Sequence, residues 1–481
     1  MERKLVDAQD RESLFELLDA LASDRIRDEF RPQWQAFREA FFQRLPLEEW
    51  VGRRIKDVFG SVYSGWRLVH ESTLKHPEQP CIRLFNPSLE EDGWLCPHTV
   101  LWVRQLDMPF LIDSIRIELN HRNIAIHQIK STRFCVRQGE HAELRELVPA
   151  EQIRKTDKQA RGDQREALIY MELRLLTDAE VLTDIRASLM EVLKDVHYVV
   201  RDFRPLLAQT ETVSEQLTRV HQPPLQDKVA ESREFLSWLA NDHFTFMGYT
   251  EFDLVTEGEQ EWLQENPEKR LGLFKLDDDQ AERKPLDEDY AGSLQFHLSP
   301  KLIAFSKAPQ RSRVHRRAYS DYVVVKRFDA AGRFCGEARF LGLYTSTVYT
   351  VSPYQIPILR NKVAQVFERS GLDPSSHDGK DLRQTLETFP RDELFQSSSS
   401  QLYETVMGVL RINERYRVRL FMRPDAFGKF INCLIYVPRD LFSTRVRLRM
   451  QQLLGRALGS HEVDFNTYFS ESILARVHLV F

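Results

Sequence analysis

Along residues 10–57 apolar positions return at helical spacing. Leu14, Leu17, Leu18 and Leu21 are followed by Trp34, Phe37 and Phe41, with Pro32 and Pro46 as interruptions. Two or three amphipathic helices are predicted there. The stretch from His70 to Pro97 carries Pro77, Pro80, Pro87 and Pro97 among mixed polar residues and reads as a connector. Beyond it Thr99–Gln105 reads as a strand, Phe110–Arg122 as a helix with Leu111, Ile115 and Leu119 on one face, and Ile124–Arg137 as a long strand or strand pair. Ile169, Met171, Leu173 and Leu175 alternate with Tyr170, Glu172 and Arg174, the period of a half-buried strand. Thr177 and Glu180 have capping-box spacing ahead of a helix lined by Leu182, Ile185, Leu189 and Val192, and His197–Phe203 is expected to close the set as a last strand. The sum is βαββαβ, a split ferredoxin-like sheet with two helices on one face.

A polar stretch at Ala208–Asp227, with Pro223-Pro224, is the best linker. After it come a helix around Glu231–Leu239 and strands at Thr245–Leu254, Leu302–Lys307, Tyr322–Phe328 and Phe334–Val351, the pattern of a mostly antiparallel α+β unit. Asp277–Asp289 reads as an acidic, loop-like insertion. Helical spacing returns over Pro357–Arg369 and Asp392–Asn413, with Gln396–Gln401 as a helix start. Val418, Leu420 and Met422 then mark a strand that pairs with Phe430–Val437 through the Asp425–Gly428 turn. Ser443 caps a helix that stops at Gly459, and strands Val463–Phe469 and Ala475–Phe481 complete a second small sandwich. The last strand runs to Val480-Phe481 with no polar tail, the ending expected of a fragment of something longer.

The 481 residues exceed one ordinary core, so separate domains are expected. The divisions predicted are 1–97 (helical region and connector), 98–207, 228–355, 356–414 (helical connector) and 415–481. Hydrophobic residues make up 42% and charged residues 29%, and 30 Phe against 19 Gly exclude disorder and collagen-like classes. A net charge of −5 draws in neither nucleic acid nor anionic lipid globally. The cysteines, Cys81, Cys96, Cys135, Cys335 and Cys433, are odd in number and form no CxxC, which fits a reducing compartment. No apolar run approaches the ~18 residues of a membrane helix, and the start lacks a signal-type stretch. A cytoplasmic protein is expected.

Nucleotide fingerprints are missing: there is no GxGxxG and no GxxxxGK[ST], so no cofactor site is expected in this segment. GxSxG and HExxH are missing as well, and His121, His127 and His141 lack a matching Cys or carboxylate pattern. Neither a metal nor a catalytic residue is predicted. The turn Gln105–Ser114 opens a helix, whose backbone N–H groups can hold the carboxylate of a small amino acid; its ligand candidates are Asp107, Met108, Pro109, Phe110 and Asp113. The plainer alternative makes Asp107 an N-cap and Pro109 a first-turn residue. Arg311, Arg313, His315, Arg316 and Arg317 beside Tyr319 and Tyr322 could hold phosphate or RNA, but a strand edge or subunit contact suits them better. Trp238–Tyr249 reads as core, with Asn241, Asp242 and His243 as pocket candidates.

Three segments, Asp107–Ser114, Leu239–Tyr249 and Ser470–His478, together resemble the large bacterial NAD-specific glutamate dehydrogenases, and their spacing extends the likeness over Val100–Phe481. Tyr319–Lys326 and the Arg423–Gly428 turn share it. The resemblance implies an α+β chain of two ferredoxin-like, ACT-type units flanking a PAS-like unit, joined by helical connectors. It implies a non-catalytic regulatory and assembly segment, with NAD and glutamate handled by a later domain of the parent enzyme. The implied partners are further copies of the chain through the ACT-like units, the downstream catalytic domain, and an amino-acid effector; nucleic acid and membrane are not among them. ACT domains that hold amino acids usually carry Asp-x-Pro-Gly at the strand-to-helix turn, where this chain has Phe110, a departure that favours packing over a pocket. The rival readings are a stand-alone amino-acid sensor of the same fold, a nucleic-acid binder using Arg311–Arg317, and an enzyme built on Asp107 and His127.

Overall fold

The computed structural model describes residues 11–43, 47–71, 79–138, 144–149, 164–276, 280–287, 291–412, 415–460, 462–469 and 472–481. His141, Pro46, Pro77, Ser470, and residues 277–279 and 288–290 of the acidic insertion lie outside the described residues. The chain divides into two compact units, Met1–Val200 with Arg313–Arg317, and Arg201–Ser312 with Ala318–Phe481.

The first unit begins with α1 (Arg11–Ala22), α2 (Arg31–Phe42) and α3 (Ile55–Glu71), as the 3.6-residue spacing predicts. Pro32 lies in the first turn of α2, where its missing N–H leaves no bond unmade. Their apolar faces gather Leu18, Trp34, Phe37, Phe41 and Trp66 into a core that also takes in Trp102 and Tyr170 of the sheet. That sheet comprises β1 (Cys81–Phe85), β2 (Thr99–Leu106), β3 (Ile126–Gln138), β4 (Leu144–Pro149) and β5 (Gln164–Leu173), with α4 (Leu111–His121) after β2 and α5 (Ala179–Arg201) after β5. Its order is β1-β2-β5-β3-β4, antiparallel throughout.

Three expectations are corrected here. Residues 197–201 continue α5 instead of forming a closing strand, because Val196 and Val199 extend the buried stripe of Ile185, Leu189 and Val192 at helical period. The edge beside β2 is filled by β1, inside the stretch read as connector, in the register Cys81↔Arg104 to Phe85↔Val100. The start of α5 is held by Asp178, whose Oδ1 accepts the Glu180 N–H at 2.9 Å, and not by Thr177.

The second unit opens with α6 (Phe203–Leu217), α7 (Pro223–Gln226) and α8 (Val229–Trp238). The stretch expected as a linker is therefore mostly helix, with Val213, Leu217, Val220 and Leu225 buried in the core. Six strands follow: β6 (Phe244–Glu257), β7 (Gln260–Gly272), β8 (Arg283–Pro285), then α9 (Ala291–Leu298), β9 (Ile303–Arg311), β10 (Tyr319–Phe328) and β11 (Phe334–Tyr344). They form one antiparallel sheet of order β8-β7-β6-β11-β10-β9. The last strand stops before Val351, since Ser346–Thr350 turns into α10. The helices α11 (Leu359–Ser370), α12 (His377–Thr388), α13 (Arg391–Gln396) and α14 (Ser399–Leu410) come next. Ser398 and Gln401 close a reciprocal capping box at the start of α14.

The chain ends with β12 (Arg419–Pro424), β13 (Ile431–Pro438), α15 (Thr444–Leu458), β14 (Asp464–Phe469) and β15 (Leu474–Val480), in the order β12-β13-β15-β14. Among the described residues this is ββαββ, the succession read from the sequence for this stretch, and not the βαββαβ implied for both ACT-type units, because the tight Asp425–Gly428 turn places the edge strand ahead of the central one. The first sheet shows the same device. In both, the chain lays down an edge strand, a central strand, a helix, the opposite flank and the second central strand. Leu434, Tyr436 and Leu474 join Phe235, Phe246, Phe305 and Phe395 in one core, so the last sheet, the helices and the six-stranded sheet are built on a shared apolar mass. Among the described residues no helix is long and apolar enough to cross a membrane.

Candidate functional site

At the strand-to-helix turn, Asp107 donates its backbone N–H to Arg165 O at 2.8 Å. The cap position of α4 belongs to Phe110, which has φ 72° and offers no side-chain bond. Within the first unit the Phe110 ring lies 4.9 Å from the His315 ring, Ser114 Oγ accepts the His315 N–H at 3.2 Å, and Asp113 stands 4.0 Å from His315 Nδ1. Phe110 and Asp113 thus meet around His315, whereas Asp107, Met108 and Pro109 lie on the approach from β2. The basic run is engaged internally: Arg313 grips Asp195 at 3.0 and 2.8 Å, and Arg317 reaches His121 at 3.2 Å. Arg311, in the second unit, covers the Tyr319 ring at 4.6 Å and pairs with Asp464 at 3.5 Å.

Asn241, Asp242 and His243 form the turn between α8 and β6. Asp242 has φ 58°, Thr345 Oγ1 donates to its carbonyl at 2.9 Å, and the His243 ring stacks on Trp238 at 4.2 Å. Asn241 and Asp242 are exposed to solvent.

In the first unit Cys96, His98 and Glu172 place ligand-type atoms within 4.8 Å of one another. Glu172 is buried and already accepts two bonds from Arg53 at 2.6 and 3.0 Å, one from the Tyr170 hydroxyl at 2.7 Å, and is 2.9 Å from His98 Nδ1. Burial would raise its carboxyl, but the Arg53 hydrogen bonds and charge hold it down to about 2. Burial, with the Glu172 charge, pushes the Cys96 thiol up to about 11. With its oxygens taken by the Arg53 guanidinium and the Tyr170 hydroxyl, Glu172 forms an ion-pair core for the sheet.

The second unit contains a different kind of site. A cavity of about 780 Å³ is bounded by β8 to β11, the start of α9, the α13–α14 junction and the β12–β13 turn. The turn is built by Asp425, which accepts from Ser306 Oγ at 3.0 Å and from the N–H groups of Phe427 at 3.0 Å and Lys429 at 3.3 Å, with Gly428 at φ 70°. It packs directly on α9, since a Cβ on Gly292 would fall 2.2 Å from Ala426 O. Five cations line the cavity: Lys284, Lys301, Arg339, Arg423 and Lys429. Arg339 pairs with Glu337 at 2.8 Å, Arg423 with Glu393 at 2.7 Å and Lys284 with Glu282 at 2.6 Å. The side-chain amines of Lys301 and Lys429 have no ion-pair or hydrogen-bond partner among the described residues; the Lys429 amine sits 4.3 Å from the centre of the Tyr322 ring. Burial, then Arg339 and Lys284, push the Lys429 amine down to about 8. Burial and Lys228 lower Lys301 likewise.

Comparison with known proteins places the architecture. The glutamate dehydrogenase ACT1 domain model matches residues 37–189, helical motif 1 of glutamate dehydrogenase matches 356–415, and the ACT2 domain model matches 419–481. The chain is 40% identical over 472 residues to the NAD-specific glutamate dehydrogenase of Halomonas elongata and 39% identical over 464 residues to that of Pseudomonas aeruginosa. It belongs to the NAD-specific glutamate dehydrogenase family. A third relative, from Mycobacterium tuberculosis, is 26% identical over 378 residues, 77% of this chain and 21% of its own length. These matches cover 97% and 96% of the chain for the first two relatives but only 28% of each relative, so the chain spans about a quarter of the glutamate dehydrogenases it resembles. The two ACT domains correspond to the two sheets of like topology, and helical motif 1 to α11–α14. The basic cavity escaped the sequence reading. Its cations run from Lys284 to Lys429 without a linear motif, and the one legible signal was the Arg423–Gly428 turn.

Proposed function

We propose that this chain is the non-catalytic regulatory and oligomer-assembly segment of an NAD-dependent glutamate dehydrogenase, whose parent enzyme deaminates L-glutamate oxidatively to 2-oxoglutarate with NAD as cofactor. The observation that carries the reading is the succession ACT1, helical motif 1, ACT2 along a chain that covers 28% of its NAD-specific relatives. That share also favours a segment over a stand-alone sensor. The lack of any Gly-rich phosphate cradle in these 481 residues agrees with it. The six-stranded unit between the ACT domains is read as PAS-like, supported by its single antiparallel sheet with helices packed on it. Its partners are further copies of the chain and the catalytic part of the same polypeptide, in the cytoplasm, with an amino-acid effector ranked behind them because Phe110 packs against His315 at the Asp107–Asp113 turn.

The reading is tested by incubating the purified chain with glutamate and NAD. No NADH is expected. Heat-labile NADH formation above buffer would place catalysis inside these residues and overturn the assignment.

A further inference from the structure

We propose that the basic cavity of the second unit is a binding site for a small organic polyanion, one that carries two or more phosphate or carboxylate groups. Cations reach the cavity from β8, β11, β12 and two connecting segments, so charge arrives from several sides at once. Among the described residues the one carboxylate in the lining, Asp425, is turned onto Ser306 and two backbone N–H groups, and its pull on Lys429 is outweighed by burial and by the Arg339 and Lys284 charges. Arg339 and Arg423 are satisfied by Glu337 and Glu393, which leaves Lys301 and Lys429 as the amines without counter-ions among the described residues. Gathering like charges around one recess costs stability unless an anion enters. Burial first, and then the Arg339 and Lys284 charges, depress the Lys429 amine, so the neighbouring cations add to the cost of holding it there. A volume of about 780 Å³ admits a metabolite-sized molecule, and the recessed, multi-walled shape suits a compact ligand better than an extended chain. Nothing in this inference depends on the dehydrogenase reading, because binding is measured on the chain itself.

The test is calorimetric titration of inorganic pyrophosphate and of citrate into the 481-residue chain, at an ionic strength held constant with KCl. Saturable binding of about one equivalent is expected. Tighter binding of pyrophosphate assigns phosphate groups to the ligand; tighter binding of citrate assigns carboxylates. The Lys301→Gln/Lys429→Gln double variant should bind at least tenfold more weakly, while Lys429→Arg, which keeps the charge, and Lys269→Gln, at an exposed position that does not line the cavity, should bind as wild type. Without ligand the double variant should melt above wild type, because repulsion is gone, and its melting point should no longer rise with anion. If the double variant does not fold, the single Lys→Gln variants are judged by the same criterion. Absence of saturable heat with both probes, or undiminished binding by the Lys→Gln variants, would overturn the proposal.

Discussion

Phe110 holds φ 72°, a left-handed backbone that costs a residue with a Cβ on the order of 1 kcal/mol. The likeness to Asp-x-Pro-Gly is therefore kept by the main chain and lost only in the side chain: the turn bends as a Gly would bend it, and the ring sits against His315. Sequence alone flagged the wrong-sized residue but not its conformation, since nothing in Phe predicts φ > 0. Lys130 is a second residue at odds with its surroundings. It is 4% exposed, its amine lies 3.1 Å from the centre of the Trp50 ring, and it has no hydrogen-bond partner among the described residues. Burial pushes this amine down to about 6, against the pull of Glu172 and Glu49. Between pH 6 and about 10 the unfolded chain thus binds a proton that the folded chain does not, and the folded state gains stability as pH rises through that window. Lys130→Met should raise unfolding free energy at pH 7 by on the order of 1 kcal/mol. Urea titrations at pH 6 and pH 9 check the sign: the advantage of the variant should shrink at the higher pH, and a constant difference would rule out the titration.

At the scale of elements, β5 was legible from its alternation, β10 and β13 from short apolar runs, α4 from a buried stripe and α15 from apolar spacing between Ser443 and Gly459. The failures have physical causes. His197–Phe203 reads as a strand from its β-branched valines, but the stripe begun at Ile185 overrides propensity and carries α5 on. In β7, Trp262, Leu263 and Leu271 are separated by a charged stretch, so no period of two was visible. α6 hides in a polar sequence because only Leu206, Thr210, Val213 and Leu217 face inward. Capping signals fared unevenly. Ser443 accepts from Val446 N–H at 3.3 Å as expected, whereas Asp107 left the cap position to Phe110. The most complete cap is the Ser398–Gln401 box, with its two bonds at 3.2 and 3.0 Å. Ser398→Ala should cost about 1 kcal/mol and lower the thermal midpoint, with a smaller loss for Gln401→Ala. An unchanged midpoint for Ser398→Ala would mean that α14 is held by packing of Leu402 and Val406 alone.

For the whole molecule, the recurrence of one strand order in two sheets bears on assembly. A sheet laid down as edge, centre, helix, flank and centre leaves β14 at an edge of the last sheet, where it pairs only with β15 among the described residues. Its Phe465 and Phe469 are 48% and 49% exposed. Apolar residues on an open edge invite pairing with another strand, and a monomer would be expected to guard that edge with charge. Pairing with a second copy of the chain through β14 is the simplest way to bury it, in keeping with the assembly role proposed for the ACT domains. Phe465→Glu tests this with little risk to the fold, because the Arg447 guanidinium already lies 3.8 Å from the centre of the Phe465 ring and would neutralise the new carboxylate. Sedimentation velocity at rising concentration should show the wild-type chain associating and Phe465→Glu associating at least tenfold more weakly, since truncating an aromatic anchor in a packed contact costs ~2 kcal/mol. A wild type that stays monomeric at tens of micromolar, or a variant that associates equally well, would move the interface away from β14.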